Sequence, residues 1–368
     1  MSCDYISLAT PGVQDLHPYL PGKPADELER ELGLTDVVKL ASNENPLGPS
    51  PKVTEVLQQQ LAGLSLYPDS GGYRLKQALS EKFGLAAEQI TLGNGSNDVL
   101  ELIARAYLRS GDEVIYSEYA FVVYSIVTQA CGAKAVVTPS KAWGHDLDKM
   151  LASITDRTRI IFIANPNNPT GTWIEREQLQ AFLDQVPEQI IVVLDEAYTE
   201  YVASSEFPNG LQLLDQYPNL VVTRTFSKAY GLAGLRVGYS VSNQQIANVL
   251  SRVRQPFNVN NLALLGAETA LDDEVHLEKT VQVNRAGLAL FEEQLSQLGL
   301  EYIPSVGNFI TVDMAVDAMP IYQAMLEQGV IVRPLANYAM PNHLRISIGT
   351  QPENERCLAV LAKVVEKR

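Results

Sequence analysis

The sequence predicts an α/β fold: a large domain on a mostly parallel central sheet flanked by helices, followed by a smaller α+β domain. Three observations carry this. Short apolar runs rich in Val and Ile recur from about residue 89, and they lack the strict alternation of half-exposed strands, as strands covered on both faces do. Amphipathic stretches separate them, which is the strand–helix–strand rhythm of a parallel sheet. At 368 residues the chain exceeds the size at which one core usually stops growing.

Taken in order, residues 1–45 carry Pro11, Pro18, Pro21 and Pro24 and read as an irregular arm and linker. The large domain is expected over 46–255. Its strands are QITL, EVIYS, KAVVT, RIIFIA, QIIVVLD and NLVVTRTF. Val99, Leu102, Ile103, Ala106 and Tyr107 fall at helical spacing after the first of these. Thr172 with Glu175 has the pattern of a capping box opening the helix after NPNNPTG. Pro256 ends a helical stretch, and beyond it the pattern changes to long helices with a few strands, NFITVDM, VIVRPL and HLRISIG; the smaller domain is expected over 256–368.

Composition narrows the function classes. A net charge of −15 argues against nucleic acid or an anionic membrane as partner, since both call for clustered Lys and Arg. An anionic ligand must then meet a local cationic pocket. Cys3, Cys131 and Cys357 are too few and scattered for a disulfide framework or a zinc site, and His17, His145, His276 and His343 form no ligand-spaced pair, so no metal is implied. The amino terminus has no basic segment followed by an apolar one, and no apolar run nears the roughly 18 residues of a membrane span, which makes a cytosolic protein the expectation.

In open α/β sheets ligands bind outside the carboxyl ends of the strands, so the residues just after each apolar run are the informative ones. After QITL comes GNGSND, whose glycines and helix start can cradle an anion. After RIIFIA comes NPNNPTG, after QIIVVL comes DEAY, and after NLVVTRTF comes Ser227–Lys228. Each has a plain structural reading: a capped helix start, a tight turn, a salt-bridged Asp195, a solvated Lys228. Together they match one chemistry. Pyridoxal phosphate needs a lysine amine, an acid for its ring nitrogen, donors for its phenolic oxygen and a cup for its phosphate.

Over nearly the whole length the chain resembles the fold-type I pyridoxal-phosphate enzymes of the aspartate-aminotransferase fold, and most closely the histidinol-phosphate aminotransferases. The residues that carry this are HPYLPGKP, KLASNENPLGPSP, LYPDSGGYRLKQAL, TLGNGSNDVLELI, ANPNNPTG, DEAYTEY, RTFSKAYGLAGLRVGY, VGNFI, VIVRPL and HLRISIGT.

The resemblance implies that Lys228 binds the cofactor's aldehyde and then moves the substrate proton, kept neutral by burial and by nearby Arg236. It implies that Asp195 holds the pyridine nitrogen protonated, that Tyr198 and Asn168 donate to the phenolic oxygen, and that Ala197 and Phe121 cover the two faces of the ring. The N–H groups of Gly95, Ser96 and Asn97, the hydroxyls of Thr225 and Ser227, and Arg236 would form the phosphate cup. Tyr67 matches a tyrosine that reaches the phosphate from a neighbouring subunit, which implies a homodimer.

For substrate, Arg345 matches the arginine that grips an α-carboxylate in these enzymes, or here a phosphate in its place. Arg333 supplies a second cation, and Tyr19 matches an arm tyrosine that closes over the substrate. The implied reaction transfers an amino group between glutamate and imidazole-acetol phosphate, giving 2-oxoglutarate and histidinol phosphate, a step of histidine synthesis. One departure is the stretch SEYAFVVY, where many members carry a Pro-Thr-Tyr type sequence. An aromatic amino-acid aminotransferase is the nearest rival reading, a phosphothreonine decarboxylase a more distant one. A non-catalytic pyridoxal-phosphate sensor domain is disfavoured by the length and charge.

Overall fold

The computed structural model describes residues 3–18 and 22–366. Among them, seven strands form one sheet in the spatial order Ile90–Gly93, Gly238–Ser242, Leu220–Thr225, Ile191–Asp195, Thr158–Ala164, Glu113–Ser117, Lys134–Thr138. Every neighbouring pair is parallel except the two made by Gly238–Ser242, which runs antiparallel to both flanking strands. The central strands Ile191–Asp195 and Leu220–Thr225 are buried along their whole length, so their apolar runs are continuous. Lys134–Thr138 departs from that expectation. It is the edge strand and is largely exposed, with a lysine that discourages pairing with another chain.

The helix expected around Val99 spans Ser96–Tyr107 and buries Val99, Leu102 and Ile103. Its first residue lies three positions after the end of Ile90–Gly93, so its amino terminus stands at the carboxyl edge of the sheet. The capping box expected at Thr172 is not formed. The helix begins later, at Arg176–Leu183, with Glu175 as cap and no side-chain capping bond. The Thr172 hydroxyl instead meets Thr170 at 2.9 Å and donates to the Trp143 carbonyl at 3.3 Å, because tertiary partners outbid the local backbone.

A second sheet is antiparallel throughout, in the order Tyr302–Ile303, Phe309–Asp313, Met340–Ser347, Arg333–Leu335. The run VIVRPL is thus divided: Val330–Ile331 pairs elsewhere, in parallel, with Val38–Lys39. Ile310, Val312, Leu344 and Ile346 form its core with Phe291, Met325, Cys357 and Leu361 from three helices.

The amino-terminal arm is more ordered than its prolines suggest. It contains the helix Ala25–Leu32, whose Leu28 packs with Ala41, Leu326 and Ile331, and the strand Val38–Lys39. Leu40 then donates to the Ile331 carbonyl at 2.7 Å and accepts from Ser347 N–H at 2.9 Å, which leads residues 40–45 between the two sheets.

The division into two domains remains a proposal, and packing moves its boundary. The helix Asn261–Leu271 lies against Pro51–Gln60 and Tyr73–Phe83, and its Ala263, Ala267 and Ala270 belong to the core that covers the large sheet. We therefore place the boundary after Leu271 instead of after residue 255.

Candidate active site

A cavity of about 260 Å³ opens at the carboxyl ends of the parallel strands. Four strand ends contribute to it: Ser96 and Asn97 after the first, Asn168 after Thr158–Ala164, Asp195 with Ala197 and Tyr198, and Thr225 with Ser227 and Lys228. Phe121, Arg236, Ser42 and Glu44 complete the wall. A larger open cleft of about 810 Å³ lies around Trp143 and Trp173 and includes none of the expected site residues.

Asp195 is 4% exposed, and both carboxylate oxygens are held: Tyr124 Oη donates to one and Thr223 Oγ1 to the other, each at 2.8 Å. Burial raises its pKa above the ordinary carboxylate value, while the two hydroxyls pull it back. An N–H⁺ placed against it would restore the charged form.

Lys228 Nζ donates to the Ser42 carbonyl at 3.0 Å and stands 5.9 Å from the centre of the Tyr198 ring. Its pKa is pushed down to about 8, first by burial and next by Arg345. The charge expected to do this was Arg236. It acts in the same direction but more weakly than Arg345, and Glu44 acts in the opposite one.

Tyr198 is buried, and its hydroxyl accepts from Asn43 Nδ2 at 3.0 Å; burial lifts its pKa to about 12. Asn168 Oδ1 accepts from Arg345 Nη1 at 2.5 Å, which leaves the amide nitrogen as the end able to donate into the cavity. Arg345 Nη2 is bound by the Ala41 carbonyl at 3.0 Å, and its buried Nε has no hydrogen-bond partner among the described residues. Arg333 sits directly across from Arg345 on the adjacent antiparallel strand.

The anion cradle forms, with one correction. The Gly95 N–H is not free, since it donates to the Gly93 carbonyl at 2.8 Å. Gly95 matters for its shape: it has φ +84°, and a Cβ there would meet Arg236 Nη2 at 2.6 Å. Ser96 and Asn97 begin the helix, where N–H groups lack intrahelical acceptors. Thr225 Oγ1 accepts from Ser227 N–H at 3.1 Å, and Ser227 Oγ accepts from Arg236 Nη1 at 3.4 Å, so both hydroxyl protons are left to donate elsewhere. The small residues after Lys228 serve close packing. Gly231, at φ +71°, lies so near Gly48 that a Cβ would come within 2.2 Å of its carbonyl oxygen.

Among the expected residues that the structure describes, Gly95, Tyr67, Arg333 and Arg345 do not line the cavity, though Arg345 reaches its wall through Asn168. Tyr67 is 82% exposed and stacks on Phe257 with centroids 4.7 Å apart. Tyr19 lies outside the described residues.

Sequence reasoning missed three groups. Asn43 was hidden in the proline-rich linker. Tyr124, three residues after Phe121, was available as the second aromatic on that helix face. Glu196, beside Asp195 in DEAY, points away from the cavity into a buried ion pair with Arg224, Nη2 to Oε2 at 2.7 Å. The signal there was Arg224, a charge inside an otherwise apolar strand.

Residues 35–361 match the family model for aminotransferase class I and II. The chain belongs to the class I and II aminotransferases. Among relatives of this aminotransferase, histidinol-phosphate aminotransferase 2 of Pseudomonas fluorescens is 58% identical over 100% of both chains. Histidinol-phosphate aminotransferase 1 of Mannheimia succiniciproducens is 55% identical over 98% of this chain and 99% of that one. A crystal structure of histidinol-phosphate aminotransferase from Sinorhizobium meliloti in complex with pyridoxal-5'-phosphate superposes with a TM-score of 0.90 at 30% identity, covering 97% of each chain. A single-mutant aspartate aminotransferase of Thermus thermophilus, at 24% identity and TM-score 0.84 over 96% of this chain and 99% of that one, shares the fold. Among the described residues, no helix is long and apolar enough to cross a membrane, and no group of three or more His, Cys, Asp or Glu could hold a metal ion.

Proposed function

We propose that this aminotransferase moves the amino group between L-histidinol phosphate and 2-oxoglutarate, giving imidazole-acetol phosphate and L-glutamate, in histidine biosynthesis. It works with pyridoxal 5'-phosphate as a cytoplasmic homodimer. The observation that carries the substrate assignment is the pairing of Arg333 with Arg345 across adjacent strands. Two arginines at one register position supply two cations to a single anion, and a phosphate, with up to two charges and a fork-compatible set of oxygens, uses both better than one carboxylate.

The cavity fits pyridoxal phosphate by its donor set. One end offers the helix start at Ser96 and Asn97, two hydroxyls and Arg236; the other offers Asp195, and Lys228, Tyr198 and Asn168 stand between. Bound there, the cofactor supplies the sink for negative charge developing on the substrate Cα. Asp195 keeps a proton on the ring nitrogen. Tyr198 and Asn168 donate to the phenolic oxygen, while Phe121 and Ala197 close the two ring faces and exclude water. Lys228, with its lowered pKa, is neutral in a large enough fraction near neutral pH to take the proton from the substrate Cα and hold it on Nζ for return. Arg345 and Arg333 would hold the substrate anion and so fix its Cα near the lysine.

The homodimer rests on an exposed apolar patch made by Leu64, Leu66, Tyr67 and Phe257. It borders the phosphate end of the cavity: Asn261 Nδ2 binds the Leu66 carbonyl, and its neighbour Asn260 binds the Leu235 carbonyl beside Arg236. A second copy on this patch brings its Tyr67 toward the cofactor phosphate.

The test is production of imidazole-acetol phosphate from histidinol phosphate only when 2-oxoglutarate is present, together with rescue of a histidine-requiring strain that lacks this activity. Absence of both outcomes, with a soluble and cofactor-loaded protein, overturns the assignment.

A further inference from the structure

We propose that Asn43 is a positioning residue for amino transfer: it dictates where the Tyr198 hydroxyl proton points and keeps Tyr198 a donor toward the cavity. The inference rests on the reading of Tyr198 as donor to the phenolic oxygen of pyridoxal phosphate.

Asn43 is 1% exposed and has φ +54°, a left-handed conformation that asparagine adopts more readily than most residues. Its backbone N–H donates to Ser347 Oγ at 2.8 Å, and Ser347 Oγ lies 3.0 Å from Asn43 Oδ1. Asn43 Nδ2 lies 3.0 Å from Tyr198 Oη. Asn308 Nδ2 holds the Asn43 carbonyl at 3.0 Å, so the backbone is pinned on both sides.

Counting protons settles the orientation. Ser347 already accepts one N–H and has a single proton of its own, which goes to Asn43 Oδ1. Were the amide turned over, Ser347 Oγ would face two N–H donors while its own proton lost that acceptor, and Tyr198 would give its proton to Asn43. In the satisfied arrangement Nδ2 donates to Tyr198. The tyrosine proton therefore cannot lie along that line, and the open side of the hydroxyl is the cavity that Tyr198 lines. Ser347 stands two residues from Arg345 on Met340–Ser347, so the strand that grips substrate also sets this proton.

The test uses cofactor-loaded Asn43→Asp in both the native and the Tyr198→Phe background. Aspartate keeps the shape and tolerates the left-handed backbone, but it replaces a donor with an acceptor and draws the tyrosine proton away. The reading is the pH midpoint of the bound cofactor's visible absorbance, beside kcat and KM. In the native background the midpoint should rise by about one unit more than in Tyr198→Phe, the size of one hydrogen bond to a charged oxygen. The through-space effect of the new charge is common to both backgrounds and cancels. The corresponding loss is about tenfold in kcat with KM for the amino donor nearly unchanged. An equal shift in both backgrounds, or no shift in either, overturns the proposal. If Asn43→Asp does not fold, Asn43→Gly, which keeps the backbone conformation and removes the amide, must raise the midpoint in the native background alone; an unmoved midpoint overturns the proposal.

Discussion

Lys228 Nζ is held by the carbonyl oxygen of Ser42, at 3.0 Å, on the segment that also gives Ala41 to Arg345 and Asn43 to Tyr198. Lys228, Arg345 and Tyr198 are thus registered against one stretch of backbone, and that stretch is anchored at Leu40 to both Ile331 and Ser347.

The lowered pKa of Lys228 gives a pH dependence with a definite sign. Only the free amine captures an aldehyde, so the rate at which the cofactor-free enzyme takes up pyridoxal phosphate should rise with pH through a midpoint near 8. Arg345→Gln removes the second-largest cause of the shift and should move that midpoint upward. Stopped-flow absorbance checks it, and a midpoint near the ordinary lysine value in the native enzyme contradicts it. Lys228→Ala should lose nearly all turnover.

Arg333→Ala should separate the two substrates. Losing one hydrogen-bonded cation costs roughly 1.5–3 kcal/mol, or about 10- to 150-fold in kcat/KM, for a phosphate that uses both arginines. On the proposed assignment glutamate relies mainly on Arg345 and should lose less. Steady-state kinetics with each amino donor decide this; equal losses would mean that Arg333 has no share in phosphate recognition.

Asp195→Ala removes the proposed partner of the ring nitrogen and should lower kcat by roughly 10²–10³-fold, as for loss of one preorganised electrostatic contact. Tyr124→Phe removes one of the two donors to Asp195 and should cost about 1 kcal/mol, a several-fold loss. A ranking with Tyr124 above Asp195 would be inconsistent with their roles.

Leu66→Glu places a charge in the exposed apolar patch and should convert a dimer to monomers in analytical ultracentrifugation, with weakened cofactor retention. Tyr67→Phe should leave the dimer intact and still weaken retention, because only the hydroxyl is lost. A native protein that sediments as a monomer at micromolar concentration excludes this arrangement.

The parallel sheet and its ligand edge were legible because burial on both faces writes itself as continuous apolar runs, and because strand ends such as Asp195 and Thr225 fall where the runs stop. Asn43 was not legible. Its role depends on a left-handed backbone and on partners 155 and 304 residues away, which no local pattern encodes. Glu196 was passed over because the strand ends at its neighbour, and a one-residue step there turns the side chain to the other side of the sheet. The arm misled through its prolines, which all precede the helix Ala25–Leu32, the last of them, Pro24, standing at its amino-terminal cap.

The most direct test of the assignment is a single-turnover titration of the cofactor-loaded enzyme with histidinol phosphate, phenylalanine and glutamate separately, following the bound cofactor's visible absorbance. The expected result is conversion by histidinol phosphate at far lower concentration than by phenylalanine, with that advantage lost in Arg333→Ala. Equal or better conversion by phenylalanine contradicts the phosphate assignment of Arg333 and Arg345 and places this aminotransferase with the enzymes acting on aromatic amino acids.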